Sequence, residues 1–475
     1  MDGNNQVSVF LVGNTKDCNF NTIQEALDNV EENSVIQVKP GIYNEHLSFT
    51  KKVHLIGCKE SIKDKSSTEL PIVVLDSDKS CEIDVPVKIE GIVFTHKKDL
   101  QFDSILSFIK TSLNFEDKEQ EEFRSLLLIN SESDFNNIAI LCSEENGIAF
   151  SKLKSNFNDS FIHHTAFIGV YIANDAAPTI NNCIITDSNI IGIMVTGAAT
   201  PVINSCRIEK GNNVGIRVEG NSNPKVSFSE VKDVGLGVNI CESSTGTYEG
   251  CNVHHNKFGF SIDNQASPQI SKCIIHNNEN IGISPNNDSK PIIKDCEIFG
   301  NERGVFVDDD SNPEITRCEI YNNKNSGVVS MQSSKVMMHL CEIYNQPVGI
   351  IIQESAHNGF YERCLIHDCN DFGVLIKTTN TINIKDSVIY ENGIGVQIQN
   401  GVLKITGSEI YKNTGNGINI MTELIGSYEY CDIHDNSIGV FVTSSQKPNF
   451  DTCKIYDNAK VNIEFFHDMV NKLFR

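Results

Sequence analysis

A glycine followed by an apolar residue returns every 22 to 24 positions: Gly147, Gly169, Gly192, Gly215, Gly237, Gly259, Gly282, Gly304, Gly327, Gly349, Gly373, Gly395, Gly417 and Gly439. Self-similarity at a fixed period of this size marks a solenoid, in which each repeat buries its apolar face against its neighbours. Each glycine opens a short run such as GVYI, GIMV or GVFV. Apolar residues two apart describe a strand that sends alternate side chains inward. Glycine at the head of that strand predicts a corner with positive φ.

The other half of the repeat reads apolar-x-x-Cys-x-Ile, as in IKDCEI (293–298) and ITRCEI (315–320). The cysteine position holds Cys183, Cys206, Cys251, Cys273, Cys296, Cys318, Cys341, Cys364, Cys431 and Cys453, with Ser229, Ser387 and Ser408 in other turns. Serine in the same place points to a small inward side chain, not to sulfur chemistry. Five residues on stand Asn256, Asn278, Asn301, Asn323, Asn392, Asn413, Asn436 and Asn458. Asparagine tolerates left-handed turns, and stacked amides can hydrogen-bond from turn to turn, so a structural ladder is expected there. A leucine-rich repeat has a similar frame. It is disfavoured because only six Leu occur between residues 160 and 460, and because no helical pattern follows the asparagine. Short strands without helices mean a parallel β-helix.

The 475 residues carry a formal net charge of −23. That excludes a phosphate-binding surface as the main feature, so no nucleic-acid partner is expected. It also disfavours acidic polysaccharides unless Ca²⁺ bridges the anions. The start, MDGNNQVSVFLVGN, lacks a basic segment followed by a long apolar run. No run of about 18 apolar residues exists, so no membrane partner is expected. The sixteen cysteines are therefore expected to be reduced thiols, in a cytoplasmic or nuclear protein.

Near the N-terminus, NTIQEALDNV (21–30) places Ile23, Ala26, Leu27 and Val30 at helical spacing, with Thr22 and Glu25 spaced as a capping box. Such a helix could cover the open end of a β-helix. Strand-like pieces follow at 35–38, 42–49 and 53–57. The segment FNTIQEALDNVEENSVIQVKPGIYNEHLSFTKKVHLIG resembles the opening of pectin-lyase-like right-handed β-helix proteins. The repeats from about 136 to 463 resemble parallel β-helix repeats of the carbohydrate-binding and sugar-hydrolase (CASH) type. They are most similar to the β-helix of F-box substrate receptors and of the SHC SH2-domain-binding protein group. The expected fold is an all-β solenoid, a right-handed parallel β-helix with an N-terminal capping helix and a C-terminal helical cap. Residues 1–135 form the cap and irregular first turns, with an inserted helix near 97–125. Residues 136–463 form the regular turns, and 464–475 the C-terminal cap.

The fold hosts lyases, epimerases, hydrolases and binding proteins. The Asp-Pro-His motif of alginate epimerases is absent, as are the Asn-Thr-Asp and Gly-His-Gly motifs of polygalacturonases, so no catalytic residue is assigned. Two outward files are candidate binding surfaces. Three residues after the cysteine position stand His254, His276, Phe299, Tyr321, Tyr344, His367, Tyr390, Tyr411, His434 and Tyr456. At about 4.8 Å per turn these ten run roughly 43 Å. Stacked rings help to hold a parallel ladder together, while Tyr321, Tyr344, His367, Tyr390, Tyr411, His434 and Tyr456 are also a candidate stripe for sugar rings or an extended peptide. The second file is a local apolar patch, Phe306, Val329, Ile351 and Leu375. Asp308, Asp309 and Asp310 form an acidic turn, with Ca²⁺ binding as the lesser alternative to plain solvation; no other metal and no cofactor are indicated. A non-catalytic scaffold for a protein partner is expected, and the F-box resemblance implies substrate recognition in a ubiquitin-ligase-type assembly. The alternatives are a carbohydrate-binding or carbohydrate-active protein (lyase, epimerase or hydrolase), and a structural rod.

Overall fold

A computed structural model describes residues 7–58, 71–75, 80–96, 124–151, 154–445 and 447–466. The inserted helix expected near 97–125 lies outside these residues, except that Ser125 already opens a strand, Ser125–Ile129. The C-terminal cap expected over 464–475 also falls largely outside them. Residues 464 and 465 instead complete the strand Val461–Phe465.

The chain divides into two compact units, 1–235 and 236–475. Each unit is built from three parallel sheets, which the chain visits in turn. In the first unit one such circuit runs through Asn156–Asn158, Phe161–Thr165 and Ile168–Ile172. The next circuit, Thr179–Asn181, Ile184–Ser188 and Ile191–Val195, pairs with it in parallel on all three sheets. Ile180, Ile185 and Ile193 point inward and are buried, as are Ile203, Ile208 and Ile216 one turn on. The single helix among the described residues, Ile23–Asn29, is capped by Thr22, whose side chain accepts from the Glu25 N–H. Glu25 reaches back to the Asn21 N–H, a capping box displaced by one residue.

The second unit repeats the plan with greater regularity. Glu314–Thr316, Glu319–Tyr321 and Ser326–Ser330 pair in parallel with Met337–His339, Glu342–Tyr344 and Val348–Glu354. Ile315, Ile320 and Val328 fill the interior at 0% exposure. Cys296, Cys318 and Cys341 form a buried column beside them. Each thiol faces the carbonyl two residues earlier, as Cys296 Sγ does Lys294 O at 3.3 Å. Ser387 and Ser408 donate to the same carbonyl position, at 2.9 and 3.2 Å. The position therefore selects a small residue that can donate to its own strand. Burial pushes the Cys364 thiol up to about 12, which removes it from thiolate chemistry at neutral pH.

The asparagine ladder is present and buried. Asn301 donates through Nδ2 to Asn323 Oδ1 at 3.2 Å and to Ile275 O at 3.3 Å, while its N–H also reaches Asn323 Oδ1. Gln346 continues the ladder by accepting from Asn323 Nδ2. None of the ladder asparagines is left-handed, contrary to expectation. Around the cysteine strand the left-handed residues stand one before the cysteine position, as at Asp295 and Arg317, and four after it, as at Asn322 and Asn345. The glycines heading the third strand are not left-handed either. Their requirement is steric. A Cβ on Gly304 would lie 2.6 Å from Gly327 O and 2.8 Å from Ile320 Cγ2, so only glycine lets adjacent backbones approach this closely.

Candidate functional site

Successive residues of a strand normally point to opposite faces. The left-handed residue four after the cysteine position breaks that alternation. His367 is followed by Asp368 at φ 52, and His434 by Asp435 at φ 55. The side chain of the left-handed residue thus lies beside the preceding ring: His367 Nδ1 pairs with Asp368 Oδ2 at 2.7 Å, and His434 Nδ1 with Asp435 Oδ2 at 2.8 Å. The corner therefore carries two adjacent files, one of rings and one of polar residues.

The ten rings of the first file stack face to face without a break within the second unit. Centroid spacings run from 4.6 Å (His367–Tyr390) to 5.3 Å (Tyr411–His434). Interplanar angles stay between 1° (Tyr344–His367) and 15° (His434–Tyr456). The spacing follows directly from the in-register pairing of Phe299, Tyr321, Tyr344 and His367. The faces are thus taken up by one another, and what the file turns outward is its edges and phenol tips. Most of the rings are half-buried, and Tyr456 at the end of the stack is 40% exposed.

Carboxylates flank the tips. Glu297, Glu319 and Glu342 lie one above the other on three successive strands. Tyr321 Oη donates to Glu297 Oε2 at 3.4 Å. His367 Nε2 meets Glu342 Oε1 at 3.1 Å, and His434 Nε2 meets Glu409 Oε1 at 3.2 Å. Like charges stacked in register repel, and Tyr321, His367 and His434 set hydrogen-bonding groups against Glu297, Glu342 and Glu409. Burial, with the Glu297 charge and Tyr344 added, pushes the Tyr321 phenol up to about 12. Tyr344, Tyr390, Tyr411 and Tyr456 are raised for the same leading reason. The phenols therefore remain neutral donors at physiological pH. His434 behaves differently from a simply buried imidazole. Burial would lower it, but the carboxylates of Asp435 and Glu409 raise it above the usual histidine value.

The structure brings all seven residues of the candidate stripe, Tyr321, Tyr344, His367, Tyr390, Tyr411, His434 and Tyr456, into this one file. Phe306, Val329, Ile351 and Leu375 also align on successive strands. Val329 and Leu375 are only 3% and 6% exposed, which leaves Phe306, under the Arg303 guanidinium, and Ile351 as the accessible part of the patch. Asp308, Asp309 and Asp310 occupy the turn after the strand Arg303–Val307, with Asp309 and Asp310 left-handed. Sequence reasoning missed the polar file beside the rings. It also missed an apolar group on the first and second sheets, where Met337 lies opposite Phe360 with Leu340 and Leu365 nearby. These four are 37 to 45% exposed.

Parallel strands in register, an inward aliphatic and thiol column and an internal asparagine ladder define a parallel β-helix. The sequence matches the right-handed β-helix region family over residues 125–258, 215–365, 282–425 and 372–472, and the chain belongs to that family. No curated protein matches the sequence. Among solved structures, the A-module of a mannuronan C-5 epimerase from Azotobacter vinelandii is similar at 12% identity and a TM-score of 0.43, over 81% of this chain and 93% of that one. A periplasmic alginate epimerase is similar at 14% identity and a TM-score of 0.36, over 90% and 83% of the two chains. The catalytic domain of an α-1,3-glucanase is similar at 10% identity and a TM-score of 0.41, over 74% and 67%. All three are carbohydrate-active β-helix proteins, and at these identities the likeness is one of fold.

Proposed function

We propose that this protein is a carbohydrate-binding β-helix, whose ligand lies along the ring file and its carboxylates. The observation that carries the reading is the in-register row of Glu297, Glu319 and Glu342 beside the phenol tips of Tyr321 and Tyr344. That row is rich in acceptors, faces outward and repeats once per turn over three turns, before Leu365 and Val388 take the position. A neutral polysaccharide offers hydroxyl donors at every residue and relieves the crowding of acceptors. An acidic one would add to the repulsion, and the net charge of −23 works against it at longer range. Because the ring faces are covered by one another, recognition uses hydrogen bonds to edges and tips more than stacking on faces. Tyr456, at the end of the file, is the ring best placed to stack on a sugar. No group in the row is assigned a catalytic role.

The test is binding of neutral oligosaccharides to wild type, Tyr344→Phe and Glu319→Gln, measured by calorimetry. Both substitutions keep the ring stack and the backbone while removing a polar contact. A loss of about 1 kcal/mol for each, the size of a single hydrogen bond, supports the reading. Equal affinity in all three proteins would contradict it.

A second reading, a scaffold for a protein partner, is favoured by the exposed apolar group Met337, Leu340, Phe360 and Leu365. A ubiquitin-ligase-type assembly is the specific form of that reading, and the buried free thiols suit the reducing cytoplasm or nucleus where such assemblies work. Its test is a partner retained by wild type and released by Phe360→Glu, with sugar binding unaffected.

A further inference from the structure

In the first unit, one group of metal-ligating side chains converges among the described residues: His163, His164 and Asp187. The convergence has a backbone cause. His164 at φ 57 and Asp187 at φ 55 occupy the same corner of successive turns. The left-handed turn at His164 therefore keeps two adjacent histidines on one face. Their rings meet at 4.3 Å between centroids, with His163 Nε2 3.1 Å from His164 Nδ1. On the far side of its ring, His163 Nδ1 lies 3.0 Å from Asp187 Oδ2. Both histidines are buried, at 2% and 8% exposure. Phe161 stacks on the His163 ring at 5.6 Å, and Thr186 Oγ1 donates to Asp187 Oδ2 at 2.8 Å. Each member of the group is thus held in place by a neighbour.

We propose that this corner binds a divalent transition metal of the zinc class, with His163 Nε2 and His164 Nδ1 as ligands and Asp187 as the carboxylate that orients His163. Metal–nitrogen bonds of about 2.0–2.1 Å around a tetrahedral centre place two nitrogens about 3.4 Å apart. From 3.1 Å the two ring nitrogens need to separate by a few tenths of an ångström, and the rings to turn so that both lone pairs point at the metal. A histidine ligand ordinarily donates its second N–H to a carboxylate, which fixes its tautomer, and Asp187 Oδ2 stands 3.0 Å from that nitrogen of His163. The proton shared between the rings moves to His164 Nε2, the other tautomer of the same neutral imidazole, so no net charge is left behind. The remaining coordination positions go to water, with access past the Asp187 side chain, which is 31% exposed. Imidazole ligands select Zn²⁺, Cu²⁺ or Ni²⁺ over Ca²⁺ and Mg²⁺.

The experiment is calorimetric titration of the reduced full chain with Zn²⁺, and separately with Ca²⁺. His164→Asn is the first variant, because asparagine accepts the left-handed backbone. Asp187→Asn is the second, and the paired change His254→Ala with His255→Ala tests the adjacent histidines of the other unit, whose Nδ1 atoms lie 2.6 Å apart. Thermal unfolding without metal checks that each variant folds. Expected is a single Zn²⁺ event with no Ca²⁺ counterpart, weakened about 10- to 100-fold by Asp187→Asn, weakened at least as much by His164→Asn, and unchanged by the His254/His255 pair. The proposal is overturned if wild type shows no such event, if a folded His164→Asn binds as tightly as wild type, or if the His254/His255 pair removes the event.

Discussion

At Gly304 the carbonyl of the next turn stands 2.6 Å from where a β-carbon would go. Gly304→Ala should therefore cost about 1–3 kcal/mol, as overpacking does in a tight interior, read from urea unfolding. Cys318→Ser should cost less than about 1.5 kcal/mol, since serine makes the same bond to its strand elsewhere in the column. At Leu340 the strain is conformational. It sits at φ 54 and is 45% exposed, and a left-handed backbone costs a bulky residue about 1–2 kcal/mol. Leu340→Asn should stabilise the protein by up to that amount. His434 gives a pH signature. Its folded-state value lies above the unfolded value of about 6.5. The stabilisation it adds is complete below about pH 6.5 and is lost as pH rises through the folded value. The stability gap between wild type and His434→Asn should thus be widest in acid and close on the alkaline side; a gap independent of pH would contradict the assignment. His276 is lowered by burial and then by His254 and His255. It works in the opposite sense, so the comparison must be made by difference.

The ladders are the next scale. Each internal asparagine satisfies a backbone N–H of the turn before it and a carbonyl two turns away from its own acceptor, as Asn301 does for Asn278 and Ile275. Asn301→Ala leaves buried partners unmet and should cost about 1–3 kcal/mol for each. Asn458→Ala, where the ladder nears solvent, should cost less. In the ring file, Tyr344→Ala removes contacts with both Tyr321 and His367 and should cost about 0.5–1.5 kcal/mol for each ring pair, whereas Tyr344→Phe keeps the stack. The files were legible in the sequence because residue type recurs with the turn: Cys or Ser, an aromatic or His, Asn, Gly. The left-handed positions were legible only in part. One before the cysteine they accept Lys272, Arg317 and Leu340 alike, because the neighbouring turns impose the geometry; four after it Asn, Asp or Gly fills most turns, as at Asn277, Gly300, Asn322, Asn345 and Asp368, residues that suit a left-handed backbone. The true reason for the glycines was hidden in the same way, since a close approach between turns is a property of the stack and not of the local chain. The His163, His164 and Asp187 group depends on both a left-handed residue and a contact between turns, so no spacing rule points to it.

At the scale of the molecule, each turn touches mainly its neighbours, so stability is a sum of turns and interfaces. Function in such a structure resides in what repeats along the outside. The candidate surface is accordingly a row, with one ring tip and a flanking polar group per turn through much of the second unit. A row binds a polymer differently from a pocket. Each added sugar meets another turn until the row is spanned. The decisive measurement is the affinity of the full chain for neutral oligosaccharides of increasing length, by calorimetry, beside a Glu319→Gln, Tyr344→Phe double variant. The expected result is an affinity that climbs with length over several residues and falls in the variant at every length that reaches those turns. Affinity independent of length and of the variant, or no binding of any neutral oligosaccharide, would contradict it.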